Sequence, residues 1–173
     1  MRIVQGRHAG RDLTSPGKRV RPTAESVRIE WLDWIDDLIP DARILELCAG
    51  TGAVGLEALS RGAASVDFIE RHPAALHSLK ANVKALRETD RTRIFKQDAV
   101  PFTRRLDAAT YDLVLADPPY GSGLAALLLD IWQERRYAPV FVLEHATDHD
   151  VPNGARLRRL GDTTLTRYEV GVG

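Results

Sequence analysis

The feature that most constrains the fold is a regular alternation of short apolar segments with longer amphipathic ones. Apolar runs typical of buried strands occupy residues 43–47, 65–70, 93–96, 111–116 and 140–144. Segments with helical periodicity lie between them, at residues 53–61, 73–86, 100–108 and 124–134. Strands that alternate with helices of this length form a parallel sheet covered on both faces. The sequence therefore predicts an α/β fold.

Both ends of this alternating region carry further elements. Residues 156–160 and 163–170 have the pattern of an antiparallel pair of strands. A first helix is predicted before the first strand, because apolar residues such as Trp31 recur there at helical spacing. Thr23 is suited to cap this helix, and Pro40 ends it.

The N-terminal region differs from the rest of the chain in charge. The whole chain has 24 basic and 24 acidic side chains, which excludes a uniformly basic nucleic-acid-binding surface. Residues 1–24, however, carry six basic side chains and one acidic one. We therefore predict a basic β-hairpin arm at residues 1–22 and a main domain at residues 23–173. One interpretation is that this arm binds a polyanion, and the alternative is a solvated arm with no binding role.

The remaining composition excludes several kinds of site and several classes of protein. Cys48 is the only cysteine, so an intrachain disulfide and a cysteine-based zinc cluster are excluded. The histidines lack metal-ligand spacing, and no metal is expected. No apolar run approaches the roughly 18 residues of a membrane span, and the N-terminus lacks the apolar region of a signal peptide. We expect a cytoplasmic protein with no membrane partner.

A glycine-rich loop follows the first predicted strand, with Gly50, Gly52 and Gly55 in a G-x-G-x-x-G spacing. This spacing alone is compatible with a dinucleotide site, an S-adenosylmethionine (SAM) site or a tight turn. Glu70 ends the second strand, where a carboxylate accepts hydrogen bonds from ribose hydroxyls in either nucleotide site. Glu46 precedes the loop and would repel a pyrophosphate, whereas it suits the ammonium and sulfonium groups of SAM. Its alternative is a surface carboxylate at a strand end.

A third acidic residue follows the third predicted strand. Asp98 could accept a hydrogen bond from an adenine amine, with the backbone N–H of Ala99 close by. Asp98 could also cap the helix that begins there. The two roles are compatible with each other.

The most specific motif is Asp117-Pro118-Pro119-Tyr120, which follows the apolar fourth strand. The motif therefore lies at the carboxyl end of that strand, and ligands of open α/β sheets bind at the carboxyl ends of the strands. The Asp117 carboxylate and the Pro118 carbonyl form two neighbouring acceptors that can hold both hydrogens of an exocyclic base amine and orient its lone pair. Tyr120 can stack on a base rotated out of its helix. The alternative is a rigid turn with a packed tyrosine.

These motifs resemble those of amino-methyltransferases of the class I SAM-dependent fold. The whole chain resembles more closely the RsmD-type enzymes, which methylate N2 of a guanine in bacterial 16S ribosomal RNA. The family-specific part is N-terminal: Arg2-Ile3-Val4, Val20-Arg21-Pro22-Thr23 and Val27-Arg28. Residues 46–63 and 117–120 resemble cofactor and catalytic motifs that the family shares with DNA and other RNA methyltransferases.

The resemblance implies a Rossmann-like, seven-stranded, mostly parallel sheet with an antiparallel last strand. It implies SAM as the cofactor and 16S rRNA, in a partly or fully assembled small subunit, as the partner. The catalytic residues it implies are Asp117, Pro118, Pro119 and Tyr120. The cofactor-binding residues are Glu46, Ala49, Gly50, Thr51, Gly52, Glu70, Arg71, Asp98 and Ala99. The RNA-binding residues are Arg7, Arg11, Arg19 and Arg21, together with Arg28 if it faces the active-site cleft.

One position departs from the family pattern, and two other functions stay open. The family has an acid directly after the arginine of "VR", whereas here Ile29 stands there and Glu30 follows. A DNA amino-methyltransferase shares both central motifs but would need an additional target-recognition domain. The protein could also be a non-catalytic RNA-binding assembly factor with the same fold, although intact Asp117 and Tyr120 favour a catalytic function.

Overall fold

The computed structural model of the chain describes residues 1–15, 25–149, 151–152 and 156–170. Within these residues the strands are β1 (Arg43–Leu47), β2 (Ser65–Glu70), β3 (Thr92–Lys96), β4 (Leu113–Ala116), β5 (Val140–Ala146), β6 (Arg156–Leu160) and β7 (Thr163–Glu169). The α-helices are α1 (Glu25–Trp34), α2 (Ala53–Ser60), α3 (Pro73–Leu86), α4 (Ala99–Thr103) and α5 (Leu124–Arg135). The predicted cap Thr23 and the predicted RNA contacts Arg19 and Arg21 lie outside the described residues.

All seven strands form one sheet in the order β3-β2-β1-β4-β5-β7-β6. Strands β1 to β5 pair in parallel, whereas β7 lies between β5 and β6 and is antiparallel to both. The predicted mostly parallel sheet with an antiparallel last strand is therefore confirmed. Because the strand order reverses between β1 and β4, the carboxyl ends of these two strands border the crevice where such sheets bind ligands.

The helices cover both faces of the sheet, as the near-continuous apolar strands require. On one face, buried Trp31 of α1, Leu56 of α2 and Leu79 of α3 belong to a single hydrophobic cluster. On the other face, Phe102 of α4 and Trp132 of α5 belong to a second cluster. In the part of the chain that the structure describes, no helix is long and apolar enough to cross a bilayer.

Two predicted helices are shorter in the structure. The helix predicted over residues 100–108 is α4, and it ends at Thr103. The chain leaves α4 through i−3 hydrogen bonds, from the N–H of Arg105 to the carbonyl of Phe102 and from the N–H of Leu106 to the carbonyl of Thr103, both at 3.2 Å. A separate turn follows, in which Ala109 has a left-handed φ of 56°. The first predicted helix ends at Trp34, and a separate turn of 3₁₀ helix follows it over Asp36–Leu38.

The described part of the N-terminal arm packs against the main domain. Its predicted hairpin is reduced to a single bridge, between Arg2 and Asp12. Ile3 and Leu13 are buried in the same cluster as α1 and α2, so this segment is part of the core. The division of the chain at residue 22 stays a prediction, since residues 16–24 are not described.

Candidate active site

The loop after β1 takes a path that requires glycine at two positions. Gly50 (φ 57°) and Gly52 (φ 74°) both have left-handed backbone conformations, which residues with a Cβ adopt only with strain. At Gly52 a Cβ would also lie 2.3 Å from Leu79 Cδ1 and 3.2 Å from a ring carbon of Phe68. The N–H of Gly52 donates to the carbonyl of Ala49 at 2.8 Å, which closes the turn. The predicted tight turn between strand and helix is therefore present.

Glu70, at the end of β2, holds this loop in place. Its Oε2 accepts a hydrogen bond from the N–H of Gly50 at 2.7 Å. Its Oε1 accepts from the N–H groups of Arg71, at 2.8 Å, and His72, at 2.7 Å. A carboxylate has about four acceptor positions, so Glu70 retains one for a ligand. The predicted ribose-binding residue thus also fixes the glycine loop.

A cavity of about 450 Å³ opens beside Glu70, within the usual size range of small-molecule sites. Its wall includes Asp98 and Ala99 at the start of α4, and Pro119 from the loop after β4. Cys48 also lines the cavity, but burial raises the pKa of its thiol to about 12. The thiol therefore stays protonated, which does not favour a nucleophilic role. The cavity brings together residues from three predicted motifs.

Arg71 and Asp98 form an ion pair at the mouth of this cavity. Arg71 Nη1 lies 2.9 Å from Asp98 Oδ1, and both side chains are largely exposed. Asp98 directly precedes α4, yet its carboxylate bonds to Arg71 and makes no side-chain capping bond to that helix. The structure therefore does not show the predicted capping role, and it places Asp98 on the wall of the cavity.

Glu46 lies beneath the loop rather than on the cavity wall. Its side chain is buried, and its Oε2 accepts from the N–H of Gly55 at 2.9 Å. A Cβ at Gly55 would lie 2.4 Å from that oxygen, so the third glycine of the motif allows the carboxylate to approach the helix. Glu46 is thus no surface carboxylate, and a direct contact of Glu46 with a ligand stays a prediction.

Glu46 should make the stability of the protein depend on pH. Burial raises the pKa of Glu46 to about 8, and the carboxylates of Asp117 and Glu70 add repulsion. A folded-state pKa above the unfolded value means that stability is lost as pH rises from about 4.5 to about 8. Glu46→Gln keeps a carbonyl acceptor for Gly55. We expect its free energy of unfolding, minus that of the unsubstituted protein, to be about 2–3 kcal/mol larger at pH 7.5 than at pH 5. Urea unfolding of both proteins at the two pH values measures this difference, and an equal difference at both values would contradict it.

The Asp117 loop projects from the carboxyl end of β4, next to β1. The N–H of Asp117 donates to the carbonyl of Leu47 at 3.4 Å. Pro118 is buried and Pro119 is exposed. The Ser122 hydroxyl donates to the Pro119 carbonyl at 2.6 Å, and this bond braces the loop from within. The loop therefore lies at the carboxyl ends of β4 and β1, at the crevice predicted for it.

Tyr120 is held by its hydroxyl group. The hydroxyl lies 3.2 Å from Oε1 of Glu144, at the end of β5, and 3.1 Å from Oγ1 of Thr163, at the start of β7. The tyrosine itself remains 38% exposed. An anchored, partly exposed ring at the mouth of a crevice suits stacking on a planar ligand.

The described basic residues of the arm are partly neutralised. Arg7 is half-exposed and forms an ion pair with the buried carboxylate of Glu88. Arg11 is exposed and donates to the carbonyl of Ala85 at 3.0 Å. Arg91 binds the same carboxylate at 2.8 Å, so Glu88 compensates the charge of Arg7 only in part, and Arg11 has no acidic partner in its hydrogen bond.

The prediction that Arg28 binds RNA is wrong. Arg28 is completely buried. Its Nε lies 3.5 Å from Oε2 of buried Glu57, and its Nη2 donates to the carbonyl of Arg2. Arg28 therefore joins α1, α2 and the N-terminal segment, and no phosphate can reach it. Sequence periodicity alone could not distinguish this inward position from a surface one.

Sequence reasoning also missed several carboxylates with structural roles. Glu57 accepts hydrogen bonds from the N–H groups of Val4, at 2.9 Å, and Gln5, at 2.7 Å. The only signal for it was a charged residue within the otherwise apolar α2. Glu88 and Glu144, which hold Arg7 and Tyr120, have no distinctive signal, because Arg7 and Tyr120 are distant from them in sequence.

The fold and the site define a class I SAM-dependent methyltransferase. A family model described as "Conserved hypothetical protein 95" matches residues 1–168. The chain is 32% identical to the Ribosomal RNA small subunit methyltransferase D of Escherichia coli (strain K12), over 89% of this chain and 77% of that protein. It is 33% identical to YlbH of Bacillus subtilis (strain 168), over 98% of this chain and 92% of that protein. The chain therefore belongs to this family, the RsmD family, as its motifs predicted.

A solved structure agrees with this assignment. The Escherichia coli protein yhhF superposes on the chain with a TM-score of 0.83 at 30% sequence identity. The superposition covers 98% of this chain and 97% of that one. The similarity therefore extends over the N-terminal segment as well as the sheet.

Proposed function

We propose that the protein transfers a methyl group from SAM to the exocyclic N2 amine of a guanine in 16S ribosomal RNA. The observation that carries this proposal is one cavity shared by two motifs. Glu70, Asp98 and Pro119 all line it, so a nucleoside bound by the two acids lies against the loop that carries Asp117. The name of the Escherichia coli relative, a small-subunit rRNA methyltransferase, supports the choice of substrate.

The residues of the cavity fit SAM. Glu70 has a free acceptor position for a ribose hydroxyl, since three backbone N–H groups use the others. Apolar Ile69 and Val100 line the same cavity and suit the faces of an adenine ring. When bound, SAM supplies a methyl group activated by its sulfonium. We propose Glu70, Arg71, Asp98 and Ala99, with the loop residues Ala49, Gly50, Thr51 and Gly52, as the cofactor-binding residues.

The Asp117 loop would hold the amine that receives the methyl group. The Asp117 carboxylate and the Pro118 carbonyl each accept a hydrogen bond from the amine. These two bonds turn the nitrogen lone pair towards the methyl group. Tyr120, fixed by Glu144 and Thr163, stacks on the guanine ring. As the nitrogen forms its bond to the methyl carbon, the bond from that carbon to sulfur would break and leave its electron pair on sulfur. The nitrogen would then be cationic and would lose a proton, which Asp117 would accept and pass to water. No stronger base is needed.

The N-terminal arm would bind the RNA backbone. Arg11 is exposed and charged, and Arg7, Arg19 and Arg21 would add further phosphate contacts. Such contacts position RNA without reading its sequence. We propose that the partner is a partly or fully assembled small subunit, whose structure presents the target guanine.

Mapping of modified nucleosides tests the proposed function. Small-subunit rRNA from a strain lacking this protein should lack one N2-methylguanosine, and purified protein with SAM should restore it in small subunits. Mass spectrometry of nuclease fragments locates the site. Unchanged rRNA modification, or methylation by the purified protein of duplex DNA in place of rRNA, would contradict the proposal.

Removing the charge of Glu70 should weaken cofactor binding. Glu70→Gln replaces one carboxylate oxygen by an NH₂ group, which cannot accept from the loop N–H groups. Because a hydrogen bond to a charged group contributes about 1.5–3 kcal/mol, we expect the Kd for SAM to rise roughly 10- to 100-fold. Calorimetry measures this change. Glu134→Gln, an exposed change on α5, is the control; equal affinities of the two variants would contradict the role of Glu70.

A further inference from the structure

Asn82 of α3 is a buried polar residue that the proposed function leaves without a role. Its side chain is 1% exposed. Its Oδ1 accepts from the N–H of Thr14 at 2.7 Å, and its Nδ2 donates to the carbonyl of Thr14 at 3.0 Å. Nδ2 also donates to the carbonyl of Thr51, in the glycine-rich loop, at 3.0 Å. One amide group therefore joins the N-terminal arm to the loop that we propose binds SAM.

The bond from Asn82 fixes part of the backbone of this loop. The peptide unit between Thr51 and Gly52 is bound at both ends. Its carbonyl accepts from Asn82, and its N–H donates to the carbonyl of Ala49 at 2.8 Å. The adjoining peptide unit, between Gly50 and Thr51, has no hydrogen-bond partner among the described residues. That unit is left for a ligand, and Asn82 holds the peptide next to it in a fixed orientation.

The described part of the arm is held together by its own backbone. The N–H of Ile3 donates to the carbonyl of Arg11 at 2.9 Å. The N–H of Leu13 donates to the carbonyl of Met1 at 2.7 Å. Thr14 directly follows this paired region, so a displacement of Thr14 moves the backbone that carries Arg11, the exposed arginine proposed to contact RNA.

We propose that Asn82 is a positioning residue that couples SAM binding to RNA binding. This inference rests on the proposed function, and it assigns the coupling to one side chain. SAM bound to the loop fixes the peptide of Thr51, which favours the orientation of Asn82 that also holds Thr14. Coupling between two binding sites is reciprocal, so RNA bound to the arm strengthens SAM binding by the same factor.

A buried amide can also serve the stability of the fold alone, and Ser60 of α2 offers a comparison. Ser60 is 4% exposed, accepts from the N–H of His8 at 2.9 Å and donates to the carbonyl of Gln5. Like Asn82, it makes two hydrogen bonds to the backbone of the arm, but it makes none to the glycine-rich loop within the described residues. Substitutions at the two positions therefore remove the same number of arm contacts and differ at Thr51.

The test compares Asn82→Ala with Ser60→Ala in the full chain. Calorimetry gives the Kd for SAM. The affinity for a small-subunit rRNA fragment is measured with and without saturating S-adenosylhomocysteine, which is the cofactor without its methyl group and therefore binds without transfer. The ratio of these two RNA affinities is the coupling factor. Urea unfolding of each variant establishes that it is folded under the conditions of the measurements.

We expect S-adenosylhomocysteine to tighten RNA binding at least about fivefold in the unsubstituted protein and in Ser60→Ala, but less than about twofold in Asn82→Ala. The Kd for SAM should rise roughly fivefold in Asn82→Ala, through the loss of one hydrogen bond to the loop. The same Kd should stay within about twofold of the unsubstituted value in Ser60→Ala. Asn82→Ser, whose shorter side chain cannot reach Thr14 and Thr51 together, is a second variant with the same expected changes.

The coupling factor of the unsubstituted protein tests the inference without any variant, and a factor of about one would overturn it. Equal coupling factors in the Asn82 and Ser60 variants, or equal Kd values for SAM in the two, would also overturn it, because Asn82 would then serve the fold alone. If the unsubstituted protein binds no SAM, or neither binds nor methylates rRNA, the proposed function itself fails.

Discussion

Asp117→Ala is expected to reduce methyl transfer by at least about 100-fold while changing the Kd for SAM by less than about threefold. The substitution removes the charged acceptor for the amine but leaves the cavity wall of Glu70, Asp98 and Pro119 in place. Preorganised groups of this kind contribute about 100- to 1,000-fold to a rate. Single-turnover transfer of labelled methyl to small subunits, together with calorimetry of SAM binding, separates the two effects.

A matched substitution at the other end of β4 provides the control. Asp112 is half-exposed and forms an ion pair with Arg43 at 3.0 Å, at the edge of the sheet away from the site. Exposed pairs contribute little to stability, so Asp112→Ala should transfer methyl groups at the unsubstituted rate. Near-normal turnover in Asp117→Ala would refute the assigned role of Asp117, and equal losses in both variants would indicate a general structural effect.

Glu57→Ala is expected to destabilise the fold by about 3–5 kcal/mol, which is the usual cost of removing one partner of a buried ion pair. Glu57 is completely buried, and it lies 3.5 Å from the guanidinium of Arg28. It also accepts hydrogen bonds from the backbone of Val4 and Gln5. The substitution removes the nearest carboxylate from the buried guanidinium, leaving only partly exposed Glu25 at 4.0 Å, and it leaves two backbone N–H groups without their acceptor. Urea unfolding measures the loss.

Glu25 offers a matched control for this prediction, because it is the other carboxylate beside Arg28. Its Oε2 lies 4.0 Å from Arg28 Nη2, but its side chain is 42% exposed. Glu25→Ala should therefore cost less than about 1 kcal/mol. Arg28→Met combined with Glu57→Leu should be more stable than Glu57→Ala, since no unpaired charge remains. A loss no larger in Glu57→Ala than in Glu25→Ala would contradict the account of the N-terminal segment.

Hydrophobic periodicity, and the turn residues between the periodic segments, predicted most of the sheet. The bounds of β1, β2 and α3 match the predicted segments because each is an apolar or periodic run that glycine, proline or a charged turn interrupts. The end of α4 was predicted wrongly, because residues 104–108 have acceptable helix propensity. The chain leaves that helix through i−3 hydrogen bonds of the Arg105 and Leu106 N–H groups, and such a tightened last turn is not visible in a propensity pattern.

Local motifs predicted the positions of the site residues, whereas long-range partners could not be predicted. Glu70 and the Asp117 loop lie at the strand ends where the motifs placed them. Glu46 was expected to face a ligand, but its carboxylate bonds to Gly55 below the loop. Arg28 was expected to meet RNA, and its buried partner Glu57 is 29 positions away in the sequence. The direction of a charged side chain depends on which distant element packs over it, and a single sequence does not contain that information in any local pattern.

The central claim is that the Asp117 loop and the cofactor cavity together form one methyl-transfer site, and a crystal structure of the protein with SAM bound tests it most directly. We expect the methyl carbon to face the Asp117 carboxylate and the Pro118 carbonyl, with space for an amine nitrogen about 3–3.5 Å from that carbon. We also expect a ribose hydroxyl to bond to Glu70. A methyl carbon that points away from Asp117, or SAM bound outside the cavity lined by Glu70, would contradict the claim.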